Sequence, residues 1–190
     1  MHERGAASLF AILLSLQLSA CASPAPANFD LVATQSALAQ RKSHGQLAVL
    51  RPEASKPADS DEIVVRLGSQ SVAYLTGARW VEQLPALVQS RLIESFQNAH
   101  LLKEVGPPGI AADYNLQTTI RSFDFDPSQN VALVEIAAQI LSSNGRIKSG
   151  RLFSARVPVT TSDPATVAAA LNAALREVMR DIVAWAAPQV

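Results

Sequence analysis

From Tyr114 to Val159 apolar side chains recur at every second residue, and this run limits the chain to folds built on a sheet of long strands. Tyr114, Leu116, Thr118 and Ile120 share one side of an extended strand, whereas Phe123 and Phe125 have the opposite parity. A β-bulge near Arg121-Ser122 brings all six onto one face. Val131 to Leu141 alternates again, with Val134, Ile136, Ala138 and Ile140 inward, and Ile147 to Val159 answers with Phe153, Ala155 and Val157. Asn144-Gly145 between them reads as a two-residue type I′ turn with positive φ at both positions. These three antiparallel strands are the expected centre of the sheet. The period then lengthens. Asp163 and Pro164 supply an N-cap and a first helical residue, and Val167, Leu171, Ala174, Leu175, Val178, Ile182 and Trp185 form a stripe that Pro188 ends.

A second helix is written upstream. Leu84, Leu87, Val88, Leu92, Phe96 and Ala99 recur at three and four, Pro85 fits the first turn, and the helix is expected to end near His100. Gln83, Gln89, Arg91 and Glu94 are expected on its solvent side. Ile63, Val65 and Leu67 share a face of a short strand, Gly68-Ser69-Gln70 reads as a turn, and Ser71 to Leu75 returns as the partner strand. Phe29-Asp30-Leu31, Gln46 to Arg51 and Leu101 to Val105 are further extended candidates, with a loop from Pro52 to Asp61 and a break at Gly106-Pro107-Pro108-Gly109. The expected fold is α+β, a two-layer sandwich of a mainly antiparallel sheet with two long amphipathic helices on one face.

The start of the chain carries a different kind of information. Ala6 to Leu18 is apolar but only thirteen residues long, a helix of about 20 Å against a hydrocarbon core of about 30 Å. With Arg4 before it and small residues after it, the run reads as the core of a secretory signal. It closes on Leu18-Ser19-Ala20-Cys21, which resembles the lipobox of bacterial lipoproteins and uses the sole cysteine of the chain. In such a signal the Cys21 thiolate takes a diacylglycerol, the peptide is cut before it, and the new amino group is acylated. Residues 1–20 are therefore expected to leave as a signal peptide, 21–28 to form a lipidated, proline-containing tether, and 29–190 to fold as one domain. Ala22, where an aspartate would resemble an inner-membrane retention signal, points to the periplasmic face of the outer membrane. Loss of the signal removes Glu3 and Arg4, so the formal charge stays at zero, which argues against nucleic acid as a partner. With Cys21 acylated no thiol remains for a disulfide, a metal or nucleophilic attack.

Asp124 to Asn130, with Glu135 following, superficially follows the spacing of a calcium loop, but the glycine at the sixth position is missing and a proline stands where the chain must curl. It reads as an ordinary turn, and no metal or other cofactor is assigned. His44 and His100 have no carboxylate at helical spacing, and no nucleophile elbow, phosphate loop or zinc helix is present. No catalytic residue is assigned and the chain is expected not to be an enzyme. Tyr74, Arg79 and Trp80 form the densest group of large side chains, placed as possible contacts to a partner or lipid chain. The alternative is that Trp80 caps the core with Arg79 stacked on it. Trp185 is expected to pack in the core.

Ile63-Val64-Val65-Arg66, Val72-Ala73-Tyr74-Leu75 and Arg79-Trp80-Val81-Glu82-Gln83-Leu84-Pro85 with its leucine-spaced helix resemble the ABC-type transport auxiliary lipoproteins. Phe29-Asp30-Leu31 is similar to the aromatic and leucine motif that this family carries near its mature start. The resemblance implies a non-enzymatic periplasmic component of a lipid transport system. Its implied partners are a mammalian-cell-entry type substrate-binding protein and an ABC permease and ATPase, with the membrane reached through the lipid anchor. Phospholipid is a candidate ligand and a homo-oligomer an allowed assembly. Two other readings stand beside it: a structural or assembly lipoprotein of the envelope, and a carrier of a small apolar ligand held between sheet and helices.

Overall fold

A computed structural model describes residues 25–35, 42–109 and 111–190; the expected signal peptide, Cys21 and the expected tether up to residue 24 lie outside the described residues. Among the described residues nine strands form one open sheet. They are β1 (Ala27–Phe29), β2 (Gln46–Val49), β3 (Glu53–Ala54), β4 (Glu62–Arg66), β5 (Val72–Trp80), β6 (Glu104–Gly106), β7 (Tyr114–Asp126), β8 (Val131–Ser142) and β9 (Ile147–Pro158). Among the described residues the helices are α1 (Leu84–Ala99) and α2 (Pro164–Ala186), the latter running into a short 3₁₀ turn, Ala187–Gln189.

The spine of the sheet is β7. One of its edges is paired along its length with β8, which in turn pairs antiparallel with β9. Its other edge is shared by three short parallel strands in succession: β2 at Tyr114–Leu116, β3 at Thr119–Ile120 and β4 at Asp124–Phe125. Outside these lie β6 on β2, and β5 then β1 beyond β4. The three long strands are therefore antiparallel neighbours as expected, but they do not form the centre: β9 is an edge. The short parallel pairings were not foreseen, because parallel neighbours need crossovers and leave no local hairpin signal.

The bulge lies where the alternation slips. Register shifts between Ile120 and Ser122, so Leu116, Thr118, Ile120, Phe123 and Phe125 are all buried, at 0–2% exposure. Val134, Ile136, Ala138 and Ile140 answer from β8, also at 0–1%. The turn after β8 differs from the expected one. Gly145 has φ 80° while Asn144 keeps a negative φ. The Gly145 N–H donates to the Ser142 carbonyl at 2.8 Å, and the Asn144 side chain accepts from the Ser142 hydroxyl and the Arg146 N–H. This is a longer turn in which glycine alone takes the left-handed position.

α2 lies across β8 and β9 with its stripe inward; Val167, Leu171, Ala174, Leu175, Val178 and Ile182 are at most 1% exposed. Trp185 is half-buried, its ring edge-on to Phe153 at 5.5 Å. α1 lies beside α2, with the Ser95 hydroxyl 3.7 Å from Met179 Sδ. It ends where expected, His100 taking the left-handed C-cap at φ 52°. Gln89 and Arg91 are not on a free solvent side. Gln89 donates to the Val49 carbonyl at 2.9 Å, and Arg91 binds both carboxylate oxygens of Asp30 at 2.9–3.0 Å and Glu94 at 2.9 Å. The chain after β1 thus runs between the helices: Thr34 N–H meets the Ser95 hydroxyl, and Val32 N–H meets Asn172 of α2.

Asp163 caps α2, its carboxylate accepting from the Thr166 N–H at 3.0 Å. Hydrogen bonds from the Thr161 hydroxyl, then the Thr166 hydroxyl and backbone N–H, lower its pKa to about 2. A carboxylate with a depressed folded-state pKa adds stability above its unfolded pKa of about 4 and loses it as pH falls through the folded value. Asp163→Ala is expected to melt at a lower temperature than the native protein at pH 7, and this gap should close between about pH 4 and pH 2. Calorimetry across that range checks it; a constant gap would contradict the capping role.

Candidate functional site

The three singled-out residues all lie on β5, and the structure separates them. Opposite β4, the register jumps from Val64↔Tyr74 to Glu62↔Arg79, so β5 carries extra residues around Gly77, whose φ is 75°. That bulge turns the strand over. Tyr74 before it is 44% exposed, while Ala78 and Trp80 after it are buried at 4% and 2%. Trp80 stands edge-on to Phe123, with ring centroids 5.7 Å apart and planes at 87°. Arg79 points outward, 3.5 Å from Asp61. Burial takes the Trp80 indole out of reach of a partner, and Tyr74 and Arg79 remain at the surface. Leu67, expected on the inward face with Ile63 and Val65, is 57% exposed because β4 ends at Arg66.

The arm from Leu67 to Ala78, with Leu67, Val72 and Tyr74 exposed, is flanked by hollows. One of about 340 Å³ lies on the helix side, lined by Val65, Ala73, Leu75, Phe125 and Pro164. A second, of about 500 Å³, lies along the strand at Pro26, Glu62, Tyr74, Leu75 and Arg79. A third, of about 230 Å³, opens on the other face between Pro57, Ala58, Val72 and Arg121. The α2 stripe packs into the helix–sheet interface, and the hollows described here lie along β4, β5 and β7. With Leu67, Val72 and Tyr74 exposed, the arm can bind apolar surface.

Arg66 and Asp124 form the polar floor of the third hollow. Arg66 Nε and Nη2 donate to the two oxygens of Asp124 at 3.0 and 2.9 Å, and hydrogen bonding to Asp124 raises the Arg66 pKa against the lowering effect of burial. This pair escaped the sequence reading because its members are 58 residues apart. The carboxylates of the calcium-like segment have partners within the protein. Asp124 is spent on Arg66, and Asp126 accepts from the Ser128 hydroxyl and N–H and from Gln129. The Ser128 hydroxyl leads these bonds in holding the Asp126 carboxyl below its ordinary range. The side chain of Asp124 is 3% exposed and that of Arg66 34%, so losing the cation is the worse event. Arg66→Met leaves a buried carboxylate unpaired and should cost about 3 kcal/mol, at the low end for such breaks because the hollow admits water. Asp124→Asn, which leaves Arg66 free to reach solvent, should cost less. Urea denaturation of the two variants checks the order, and equal costs would contradict it.

The sequence profile described as ABC-type transport auxiliary lipoprotein component matches residues 29–183. The chain belongs to that family. Its fold agrees with the crystal structure of protein XCC0632 from Xanthomonas campestris, a DUF330 protein, with TM-score 0.77 and 27% identity over 86% of this chain and 96% of that one. A crystal structure of an uncharacterized protein shares the fold at TM-score 0.70 and 11% identity, covering 85% of this chain and 99% of that one. An uncharacterized protein of Bradyrhizobium diazoefficiens, bll6063, is 31% identical over 110 residues, which are 56% of this chain and 30% of that protein. In this member of the auxiliary lipoprotein family, no described helix is long and apolar enough to cross a membrane. The Phe29-Asp30-Leu31 motif of the resemblance now has a physical role. Phe29 sits opposite Trp80, Asp30 holds Arg91, and Leu31 is 1% exposed.

Proposed function

We propose that this auxiliary lipoprotein is anchored through acyl chains on Cys21 to the periplasmic face of the outer membrane, where it serves a mammalian-cell-entry type lipid transport system and catalyses no reaction. The observation that carries this reading is positional. The family match begins at residue 29, eight residues after a sole cysteine set in Leu18-Ser19-Ala20-Cys21. Two or more acyl chains on one residue contribute about 0.8 kcal/mol per buried methylene, enough for an anchor that does not dissociate spontaneously. Energy for transport comes from the permease and ATPase; this domain fixes the membrane end of the assembly.

Cys21→Ala, made in the native host, should yield a folded domain in the soluble periplasmic fraction with no palmitate incorporated. Normal membrane fractionation and labelling of that variant would overturn the anchor. Crosslinking in cells followed by mass spectrometry addresses the partners: recovery of the mammalian-cell-entry protein supports transport, and recovery of cell-wall or assembly proteins alone favours the structural reading.

A further inference from the structure

We infer that the arm from Leu67 to Ala78 is a second membrane contact, lying on the leaflet that holds the acyl chains and fixing how the domain stands on it. The inference rests on the anchoring reading above. Charge is the first observation. Charged residues make up 17% of the chain, yet Leu67 to Ala78 contains none. The other long edge, β9, is guarded by Lys148, Arg151 and Arg156 in the way exposed edges normally are. The uncharged arm instead presents Leu67, Val72 and Tyr74 at 57%, 43% and 44% exposure. Tyr74 suits such a boundary, since its ring can lie in apolar material while its hydroxyl stays hydrated.

The tether supplies the second observation and names the occupant. β1 pairs parallel with β5 only at Ala78–Trp80, so among the described residues no strand covers the outer edge of Val72–Thr76. Because the pairing is parallel, the chain traced back from Ala27 heads toward the tip of the arm, and Pro26 already lines the hollow beside Tyr74 and Leu75. Ala27 sits opposite Ala78, and Val72 lies about 20 Å further along the strand. Five residues lie between Cys21 and Ala27, and six Cα-to-Cα steps limit the leash to about 20 Å whatever its path. Along the arm the acylated residue therefore reaches no further than the tip, and the surface nearest the exit point, which is the uncharged arm with Leu67, Val72 and Tyr74 exposed, meets the lipid. Arg66 and Arg79, which bracket the arm, are each paired with a carboxylate, Asp124 and Asp61. The contact is accordingly apolar and does not require anionic lipid.

Hydrogen exchange read by mass spectrometry tests this on the mature chain, its Cys21 thiol coupled to a maleimide-headed phospholipid in phosphatidylcholine vesicles. Amides of residues 67–76 should exchange about tenfold more slowly than in the uncoupled chain, equally at low and high salt, with residues 147–158 unchanged. The double variant Leu67→Asp, Tyr74→Asp alters exposed side chains, so it should keep the native denaturation midpoint and lose the protection while still coupled. Solution-rate exchange at 67–76 on vesicles, or equal protection in the double variant, overturns the inference. Since the anchor is installed chemically, that outcome counts against the contact alone, whereas a bare N-terminus in the native host counts against acylation alone.

Discussion

Leu175→Asp should leave the domain unfolded. Leu175 is 0% exposed at the middle of α2, between Leu171 and Val178, which are buried to the same degree. Removing the leucine forfeits about 2 kcal/mol of apolar burial, and placing a carboxylate there costs several more with no cation in the stripe to pair it. Total stability of a domain of this size is about 5–15 kcal/mol, so the loss takes most or all of it. Arg176→Asp, one residue along and exposed, should shift the midpoint by no more than about 0.5 kcal/mol. Circular dichroism during urea denaturation separates the two. A cooperative transition with native midpoint in Leu175→Asp would mean that α2 presents a different face to the sheet.

Trp80→Ala should cost about 3–5 kcal/mol. The indole is 2% exposed and stands edge-on to Phe123, so its removal opens a cavity at the meeting point of β5 and β7 and deletes an aromatic pair. Its backbone N–H bonds the Asp61 carbonyl at 2.7 Å and is retained. Tyr74→Ala, on the exposed side of the Gly77 bulge, should cost under about 1 kcal/mol. Chemical denaturation of both variants checks this; a near-native Trp80→Ala would return the indole to the role of a partner anchor.

These contrasts show why only part of the molecule was legible. Elements whose signal is local were readable: the i, i+3, i+4 stripes of α1 and α2, the Asp163-Pro164 start, and the slip at Arg121 that marks the bulge. The parallel pairing of β2, β3 and β4 was not, because each takes its place from a different stretch of β7 and none of these pairings passes through a tight turn. Asn144-Gly145 has the right composition for a two-residue turn, but the side-chain bonds of Asn144 to Ser142 and Arg146 hold it at negative φ. Tyr74 and Trp80 have the same parity along β5, and without the Gly77 bulge both would face one way. The candidate surface had one sequence signal that was not used, the absence of charge between Arg66 and Arg79. The Arg66–Asp124 pair had none, since only the folded register of β4 on β7 brings it together.

The central claim is that the sole cysteine becomes an acylated first residue from which the domain hangs. Mass spectrometry of the N-terminal peptide, taken from protein purified out of membranes of the native host, tests it most directly. The expected peptide begins at Cys21 with a diacylglycerol thioether and an acylated amino group. A peptide that reads through Ala20 into an unmodified Cys21, or one that begins at Cys21 with a free thiol, would contradict it.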